Sequence, residues 1–179
     1  MERRRFVKAL GLAGATAAFP AAWGGAGGAA MARRAGAEGQ QVPKIDKSDD
    51  EWRRILPEDR YRILFEEETE PRGSSPLLEE KREGTYICAA CFFPIFRSET
   101  KFESGTGWPS FYRPIEGHVE TRRDWQLIIP RTEYHCARCG GHQGHVFDDG
   151  PPPTGKRYCN NGLALEFVPE GEELPELRT

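Results

Sequence analysis

The spacing of apolar residues predicts two short helices near residue 50. An acidic segment at 48–51 can cap a helix, apolar residues follow at helical spacing over 52–56, and Pro57 ends the pattern. A second short helix is predicted to begin at Pro57, with its apolar positions within residues 61–65. Residues 66–82 are charged and contain two prolines and a glycine, so we interpret them as a loop that wraps the surface.

From residue 84 onward the pattern changes to short runs of β-branched and aromatic residues, broken by Gly, Pro and Asp. No long helices alternate with these runs, which argues against a parallel α/β sheet and favours a mainly β, antiparallel domain. The tail from Pro169 onward is expected to be solvated and loosely ordered. Strands are predicted over residues 85–87, 94–96, 118–121, 126–129, 133–135, 145–147 and 163–167.

Residues 1–30 have the layout of an export signal rather than of a folded element. A basic start leads into an apolar stretch rich in Ala and Gly, and small residues follow. The run RRRFVK at residues 3–8 fits the twin-arginine pattern, which predicts a bacterial protein exported to the periplasm or another extracytoplasmic space. A chance basic N-terminus and an uncleaved amphipathic anchor are the alternatives. Residues 31–47 predict a flexible linker, so the folded domain is expected to span residues 48–179.

The charge of the chain limits the class of partner. The formal net charge is −3, and residues 1–30 hold four basic residues and one acidic residue, so their removal changes the charge to −6. An acidic domain argues against general nucleic-acid binding. The remaining length suits one domain with one core, and we expect a monomer.

Four of the five cysteines form two CxxC pairs, CAAC at 88–91 and CARC at 136–139. Two tight turns that each offer two thiols are typical of a closed tetrahedral zinc site, so one structural zinc ion is predicted, with no organic cofactor. Gly140 allows a positive φ after the second pair, whereas Phe92 after the first pair is less suited to such a turn. The predicted zinc ligands are Cys88, Cys91, Cys136 and Cys139.

Three other chemistries compete for the same two pairs. A disulfide within one CxxC closes only a very short loop and strains the turn, while crossed disulfides between the pairs remain open. A redox-active CxxC usually lies at a helix N-terminus after a strand, whereas both pairs here lie between predicted strands. Catalytic zinc keeps one coordination position open, and four thiolates would leave none. These considerations favour structural zinc.

The fifth cysteine, Cys159, is predicted to be a free thiol. A free cysteine is often a small buried core residue, but its neighbours suggest chemistry. Arg157 and Asn161 lie two residues away on either side, where a strand would place the three side chains on one face, and a nearby cation favours the thiolate. His142 and His145 could donate and accept protons near neutral pH, with zinc ligation or a plain surface position as their alternatives.

The surroundings of this thiol predict a pocket. The proline-rich loop at 150–155 is expected to place Cys159 at an exposed rim rather than in a core strand. Trp108 lies among glycines and is therefore expected at a pocket wall that holds an apolar or methyl-bearing group. A buried core position is the alternative for this tryptophan.

Four motifs carry a resemblance to a known family: EGTYICAAC (83–91), FESGTGWPSF (102–111), YHCARCGGHQGHVFDDGP (134–151) and RYCNNGLALEF (157–167). In this order and spacing they resemble the B-type methionine sulfoxide reductases, which act on one epimer, the R epimer, of methionine sulfoxide. The resemblance covers nearly all of the chain from about Asp49 to Val168. It implies two antiparallel sheets tied by zinc, and an enzyme that repairs oxidised proteins or peptides by reducing methionine (R)-sulfoxide.

The resemblance also implies a role for each candidate residue. Cys159 is the expected nucleophile, which attacks the sulfoxide sulfur and becomes a sulfenic acid. His142 or His145 is expected to supply protons, Arg157 to favour the thiolate, and Asn161 to hold water or polar groups.

The substrate's ε-methyl group is expected to pack against Trp108, with Phe147 as a further part of that wall. Many family members carry a resolving cysteine in the motif SGCGWPSF, at the position of Thr106 in this chain. An intramolecular disulfide is therefore not expected, and the sulfenic acid must be reduced by an external thiol from a thioredoxin-like or other extracytoplasmic carrier. A smaller departure is Asn160, where an apolar residue is common.

Two other classes of protein fit parts of the pattern. A non-catalytic zinc-stabilised β module for binding would not need Cys159, Arg157 and the two histidines together. A dithiol oxidoreductase would instead use Cys88 or Cys136 and hold no tightly bound metal.

Overall fold

A computed structural model describes residues 42–124 and 131–179, and the predicted export signal lies outside them. Two short helices, α1 (Asp49–Ile55) and α2 (Glu58–Phe65), precede the strands, as the apolar spacing predicts. Within these residues, no helix has the length and apolar character needed to cross a membrane. The described strands are β1 (Gly84–Cys88), β2 (Pro94–Arg97), β3 (Lys101–Phe102), β4 (Ser110–Phe111), β5 (Val119–Asp124), β6 (Arg131–Cys136), β7 (His142–Phe147), β8 (Arg157–Asn160) and β9 (Leu165–Pro169).

The strands form two antiparallel sheets, which confirms the predicted mainly β fold with short N-terminal helices. One sheet has the order β2-β1-β9, and the other has the order β3-β4-β8-β7-β6-β5. The strand predicted over residues 126–129 lies outside the described residues. Strands β3 and β4 have only two residues each, too short for a periodic pattern to indicate them.

Strand β8 corrects one expectation from the sequence. Its residue Cys159 was expected at an exposed rim, but β8 lies inside the six-stranded sheet, hydrogen-bonded to β4 on one side and β7 on the other. The run RYCN is short and largely polar, so hydropathy gives little strand signal there. The Arg157 side chain is only 10% exposed in this inner strand. Its burial is tolerated because its charge is paired with Asp149.

Aromatic side chains join the two sheets into one core. Phe96 of the smaller sheet stacks on Phe111 of the larger one, with ring centroids 4.0 Å apart. Tyr86 meets the same Phe111 edge-on at 4.9 Å, and Phe96 meets Tyr134 at 6.1 Å. Aromatic pairs at such distances add stabilisation beyond the area they bury. Helix α2 covers one end of this core through Leu64, which is 1% exposed.

The two ends of the described chain both bind the β domain. The backbone N–H of Ile45 donates to the carbonyl of Arg138 at 2.8 Å, so the predicted linker is already held by the domain at this residue. The C-terminal tail is largely exposed, as expected, but its end is anchored. The Arg178 guanidinium lies 4.1 Å from the Phe92 ring and donates to the carbonyls of residues 89 and 90 at 3.4 and 3.2 Å.

Candidate active site

The two CxxC pairs converge on one point. Their four sulfur atoms all lie within 4.8 Å of one another, and Cys88–Cys139 and Cys91–Cys136 are each 3.7 Å apart. A tetrahedral zinc ion with Zn–S bonds of about 2.3 Å requires sulfurs about 3.8 Å apart, so this donor set fits zinc. A disulfide would need about 2.05 Å, and none of the five cysteines forms one. Four thiolates close the coordination shell, so the metal's role is structural.

Each pair lies in the turn of a hairpin, and the two turns have the same hydrogen bonds. The N–H of Phe92 donates to the Cys88 carbonyl at 2.8 Å, and the N–H of Gly140 donates to the Cys136 carbonyl at 2.9 Å. Both donors have a positive φ, 61° for Phe92 and 74° for Gly140. The glycine was predicted to adopt this conformation. Phe92 adopts it at a cost of about 1 kcal/mol or more, because a side chain is disfavoured there.

The Cys159 thiol faces a separate small cavity of about 120 Å³. In the sheet, Cys159 is opposite Ser110 of β4 and His145 of β7. Strand β7 approaches closely at Gly144, where a Cβ atom would lie 2.0 Å from the Cys159 carbonyl oxygen. Glycine is therefore required beside the candidate nucleophile. The cavity is lined by Thr69, Trp108, Arg131, Gly144, His145, Phe147, Cys159, Asn160 and Asn161.

Five of the residues predicted for the site line this cavity, and two do not. The five that line it are Cys159, Trp108, Phe147, His145 and Asn161. The side chains of Arg157 and His142 are not part of the lining. A larger groove of about 560 Å³ lies at the start of β1, but charged side chains of both signs line it and no thiol faces it. The smaller cavity is therefore the candidate active site.

The protonation of Cys159 reflects opposing effects. Burial raises the pKa of the thiol, while the charge of Arg157 and a hydrogen bond from the Thr106 side chain lower it. Burial is the larger effect, so the resting sulfur is mainly a thiol at neutral pH. Arg157 is itself held by a two-point hydrogen bond to Asp149, both distances being 2.8 Å, and by the Phe147 ring at 4.3 Å.

Thr106 occupies the turn that faces the sulfur. Its hydroxyl lies 2.8 Å from the Ser104 hydroxyl, which in turn lies 2.8 Å from the hydroxyl of Ser110. This chain of hydroxyls lets Ser104 donate to Thr106 while Thr106 donates to Cys159. The position that carries a resolving cysteine in many relatives of the expected family is thus occupied by a hydrogen-bond donor.

The two histidines each pair with a carboxylate, but they differ in access. His145 Nε2 donates to Asp124 at 3.0 Å, and burial lowers the pKa of this histidine despite the hydrogen bond. His142 Nδ1 donates to Glu133 at 2.6 Å, and its Nε2 is buried without a partner in the part of the chain that the structure describes. The rings meet edge-on at 5.5 Å. His145 therefore faces the cavity directly, whereas His142 could reach it only through His145.

The two asparagines after Cys159 hold the site together. Asn161 Nδ2 donates to the Gln143 carbonyl at 3.3 Å, and its Oδ1 accepts the backbone N–H of Glu70 at 3.2 Å. Asn160 is fully buried, accepts a hydrogen bond from the Tyr134 hydroxyl at 2.6 Å and donates to the Asn161 carbonyl at 2.7 Å. The polar side chain of Asn160 can be buried because both its amide oxygen and its amide nitrogen form hydrogen bonds.

Sequence reasoning missed several residues of the site. Thr69 and Arg131 line the cavity, and Arg131 also pairs with Asp124 at 2.9 Å. The carboxylates that orient the histidines, Asp124 and Glu133, were missed too. Their histidines lie 21 and 9 residues further along the chain, so only the pairing of strands brings them together.

Comparison with known proteins agrees with this geometry. The family model described as "SelR domain" matches residues 56–169. Three curated relatives are each called "Peptide methionine sulfoxide reductase MsrB". The protein from Leptospira interrogans is 48% identical over 71% of this chain and 98% of its own. The proteins from Agrobacterium fabrum and Leifsonia xyli are 50% and 52% identical over 71% and 72% of this chain and 95% and 94% of their own.

The matched region contains both CxxC pairs, the Trp108 turn and the strand that carries Cys159. The zinc-type cysteine cluster and the two antiparallel sheets are those expected of the family. The chain therefore belongs to the SelR-domain family, the B-type methionine sulfoxide reductases.

Proposed function

We propose that this protein reduces methionine (R)-sulfoxide, in oxidised proteins or peptides, to methionine, with Cys159 as the nucleophile. The observation that carries the proposal is the free Cys159 thiol, which faces a cavity walled by Trp108 and Phe147. An aromatic wall suits the ε-methyl group of the substrate, while the sulfoxide oxygen needs hydrogen-bond donors. Family membership supports the same activity.

The first step transfers oxygen from one sulfur to the other. The Cys159 sulfur attacks the sulfoxide sulfur, the S–O bond breaks, and the oxygen ends on the cysteine as a sulfenic acid while methionine leaves. The sulfoxide sulfur gains two electrons and the cysteine sulfur loses two. The thiol proton remains in the sulfenic acid, so thiol and sulfoxide account for all atoms of the two products.

A proton must reach the sulfoxide oxygen as the S–O bond weakens, and His145 is the best placed donor. It lines the cavity, and Asp124 fixes its ring through Nε2. In this tautomer Nδ1 carries no proton, so it can accept the Cys159 proton and then deliver it to the sulfoxide oxygen. His142 does not line the cavity and contacts the His145 ring edge-on. Arg157 and Thr106 stabilise negative charge on the Cys159 sulfur.

The second step regenerates the thiol. An external thiol attacks the sulfenic acid and releases water, which leaves a mixed disulfide on Cys159. A second thiol then attacks the disulfide and restores the cysteine. With Thr106 in the turn and four cysteines in the metal cluster, no further cysteine of this chain is available for this role.

The zinc site contributes stability rather than chemistry. Cys88, Cys91, Cys136 and Cys139 would hold the ion, and a bound zinc ion ties the β1–β2 turn to the β6–β7 turn.

The predicted signal at residues 1–30 supports an exported enzyme that repairs oxidised proteins outside the cytoplasm. Because zinc-loaded folded protein suits a twin-arginine route, metal binding before export is compatible with this location. The reductant is then an extracytoplasmic thiol carrier. A pulse-chase with cell fractionation tests the location: the processed form should appear outside the cytoplasm, and Arg3→Lys with Arg4→Lys should retain the precursor inside.

The activity itself is tested with the separate R and S epimers of methionine sulfoxide, in free form and in a peptide, with dithiothreitol as reductant. Wild type should reduce the R epimer only, and Cys159→Ser should be inactive with its zinc content unchanged. A sulfenate-selective reagent should label wild type after one turnover without reductant. Activity retained in Cys159→Ser, or an internal disulfide at Cys159, would contradict the mechanism.

A further inference from the structure

Glu70 connects the opposite sides of the cavity, although it lies in the segment 66–82, which the sequence indicates only as a surface loop. Its side chain is buried, with 3% of the residue exposed. Carboxylates are rarely buried to this extent unless they are fully hydrogen-bonded. All three polar groups of this residue are used, and each one holds a different part of the site.

The carboxylate holds the turn that follows Cys159. Its Oε1 accepts the backbone N–H of Gly162 at 2.6 Å, and its Oε2 accepts the N–H of Leu163 at 3.0 Å. These N–H groups begin a 3₁₀ turn, Gly162–Ala164, and have no partner within it. The segment packs closely against this turn, because a Cβ atom on Gly162 would lie 3.2 Å from Glu70 Oε1 and 1.9 Å from the Ser75 hydroxyl oxygen.

The backbone of Glu70 holds two lining side chains. Its N–H donates to Asn161 Oδ1 at 3.2 Å, and its carbonyl accepts the indole N–H of Trp108, also at 3.2 Å. The preceding residue, Thr69, lines the cavity itself. Glu70 thus joins the aromatic wall on one side to the turn after Cys159 on the other.

We propose that Glu70 is a positioning residue that sets the separation between the Trp108 wall and the Asn161 turn, and thereby the affinity for the sulfoxide side chain. This inference rests on the proposed function. The carboxylate accepts hydrogen bonds from two N–H groups, so the ionised form, in which both oxygens are acceptors, is the form that holds the turn. Burial raises the pKa of Glu70, and the two backbone hydrogen bonds oppose that rise.

The nucleophile is held independently of Glu70, because β8 is paired on both sides in the sheet. Loss of the carboxylate should therefore weaken substrate binding more than the chemical step. In kinetic terms, such a loss raises KM while kcat changes little. A residue that only stabilised the fold would lower the amount of active enzyme and leave KM unchanged.

The test compares Glu70→Gln and Glu70→Ala with Glu68→Gln in zinc-loaded protein. Glu68 lies two residues earlier and pairs with Arg62 at the surface, so it is a matched control for loss of one charge. Gln keeps one acceptor oxygen, so we expect KM for the R sulfoxide to rise roughly fivefold in Glu70→Gln and more than tenfold in Glu70→Ala, with kcat within about twofold. Glu68→Gln should match wild type.

Two further measurements separate this inference from the proposed function. The rate of Cys159 alkylation by iodoacetamide should be unchanged in Glu70→Gln, while hydrogen exchange of the Gly162 and Leu163 amides should become faster. Epimer-specific activity of wild type tests the proposed function alone. Exchange at wild-type rates, or an unchanged KM in Glu70→Gln and Glu70→Ala with active wild type, would overturn the role of Glu70 and leave the function standing.

A double-mutant cycle tests the route through the tryptophan. Trp108→Phe keeps an aromatic wall but removes the indole N–H that binds the Glu70 carbonyl. If Glu70 acts partly through Trp108, the effect of Glu70→Gln on KM should be smaller in the Trp108→Phe background. Additive effects would exclude this route and limit the action of Glu70 to the Asn161 turn.

Discussion

Replacing Arg178 with alanine should speed the loss of zinc from the four-cysteine cluster. Arg178 lies in the C-terminal tail, beyond residue 169 where the family match ends. Its side chain covers the first CxxC turn, and its backbone N–H donates to the Cys91 carbonyl at 3.2 Å. Arg138, from the second turn, donates to the carbonyls of both Cys91 and Arg178, at 3.3 and 2.6 Å. The tail therefore joins the two turns that hold the metal.

The size of the effect follows from the lost contacts. The cation–π contact with Phe92, at 4.1 Å, contributes about 0.5–1 kcal/mol near a surface. The two hydrogen bonds to the Ala89 and Ala90 carbonyls are long, 3.4 and 3.2 Å, and lie at the low end of roughly 0.5–1.5 kcal/mol each. The entropy of fixing the side chain offsets part of this gain. A net loss of about 1–2 kcal/mol corresponds to an opening of the turn that is roughly 5–30 times more frequent.

The assay follows zinc transfer from the loaded protein to a chromogenic chelator in large excess. Arg178→Ala should release zinc roughly 5–30 times faster than wild type. Arg178→Lys should be intermediate, because it keeps the cation but loses the planar donor group. Leu174→Ala, at a tail residue that is 41% exposed, is the control and should match wild type. Equal release rates for Arg178→Ala and wild type would refute the reasoning.

Three further predictions concern the surroundings of Cys159. In Thr106→Val the pKa of the Cys159 thiol should rise, since a hydrogen bond to the sulfur is lost; alkylation at fixed pH should slow roughly two- to tenfold, whereas Thr106→Ser should match wild type. Thr106→Cys should form a disulfide with Cys159 during turnover, seen by mass spectrometry of the non-reduced protein, and its absence would show that the turn cannot deliver a resolving thiol. Gly144→Ala should lower the free energy of unfolding by about 3 kcal/mol or more, because its Cβ would lie 2.0 Å from a backbone oxygen. Gly105→Ala, with open space around it, should lower it by about 1 kcal/mol, and equal melting temperatures of the two variants would contradict this.

The features that the sequence predicts well are those defined by local spacing. The two CxxC pairs specify a metal cluster because each pair lies in a single turn, and the structure brings the four sulfurs within 4.8 Å. The helices α1 and α2 and the aromatic strands follow from periodicity and propensity in the same way. Cys159 could be singled out because the other cysteines were already assigned by their spacing.

The features that the sequence could not indicate depend on contacts between distant segments. Glu70 meets Gly162 across 92 positions of the chain, and His145 meets Asp124 only because β5, β6 and β7 are paired in a defined register. Phe92 adopts a left-handed conformation that a sequence pattern would assign to glycine. In each case the tertiary structure stabilises an arrangement that local preference does not indicate.

The position of β8 determines how the oxidised cysteine can be reached. Hydrogen bonds to β4 and β7 fix the strand, so the sulfur cannot swing out to meet a partner. The cavity before it, about 120 Å³, is well below the roughly 300–1,000 Å³ of typical ligand pockets. A flat protein face cannot enter such a space. For the proposed mechanism we therefore expect a reductant that presents its thiol on a protruding loop or as a small molecule, and turnover that is first order in that thiol at low reductant concentration.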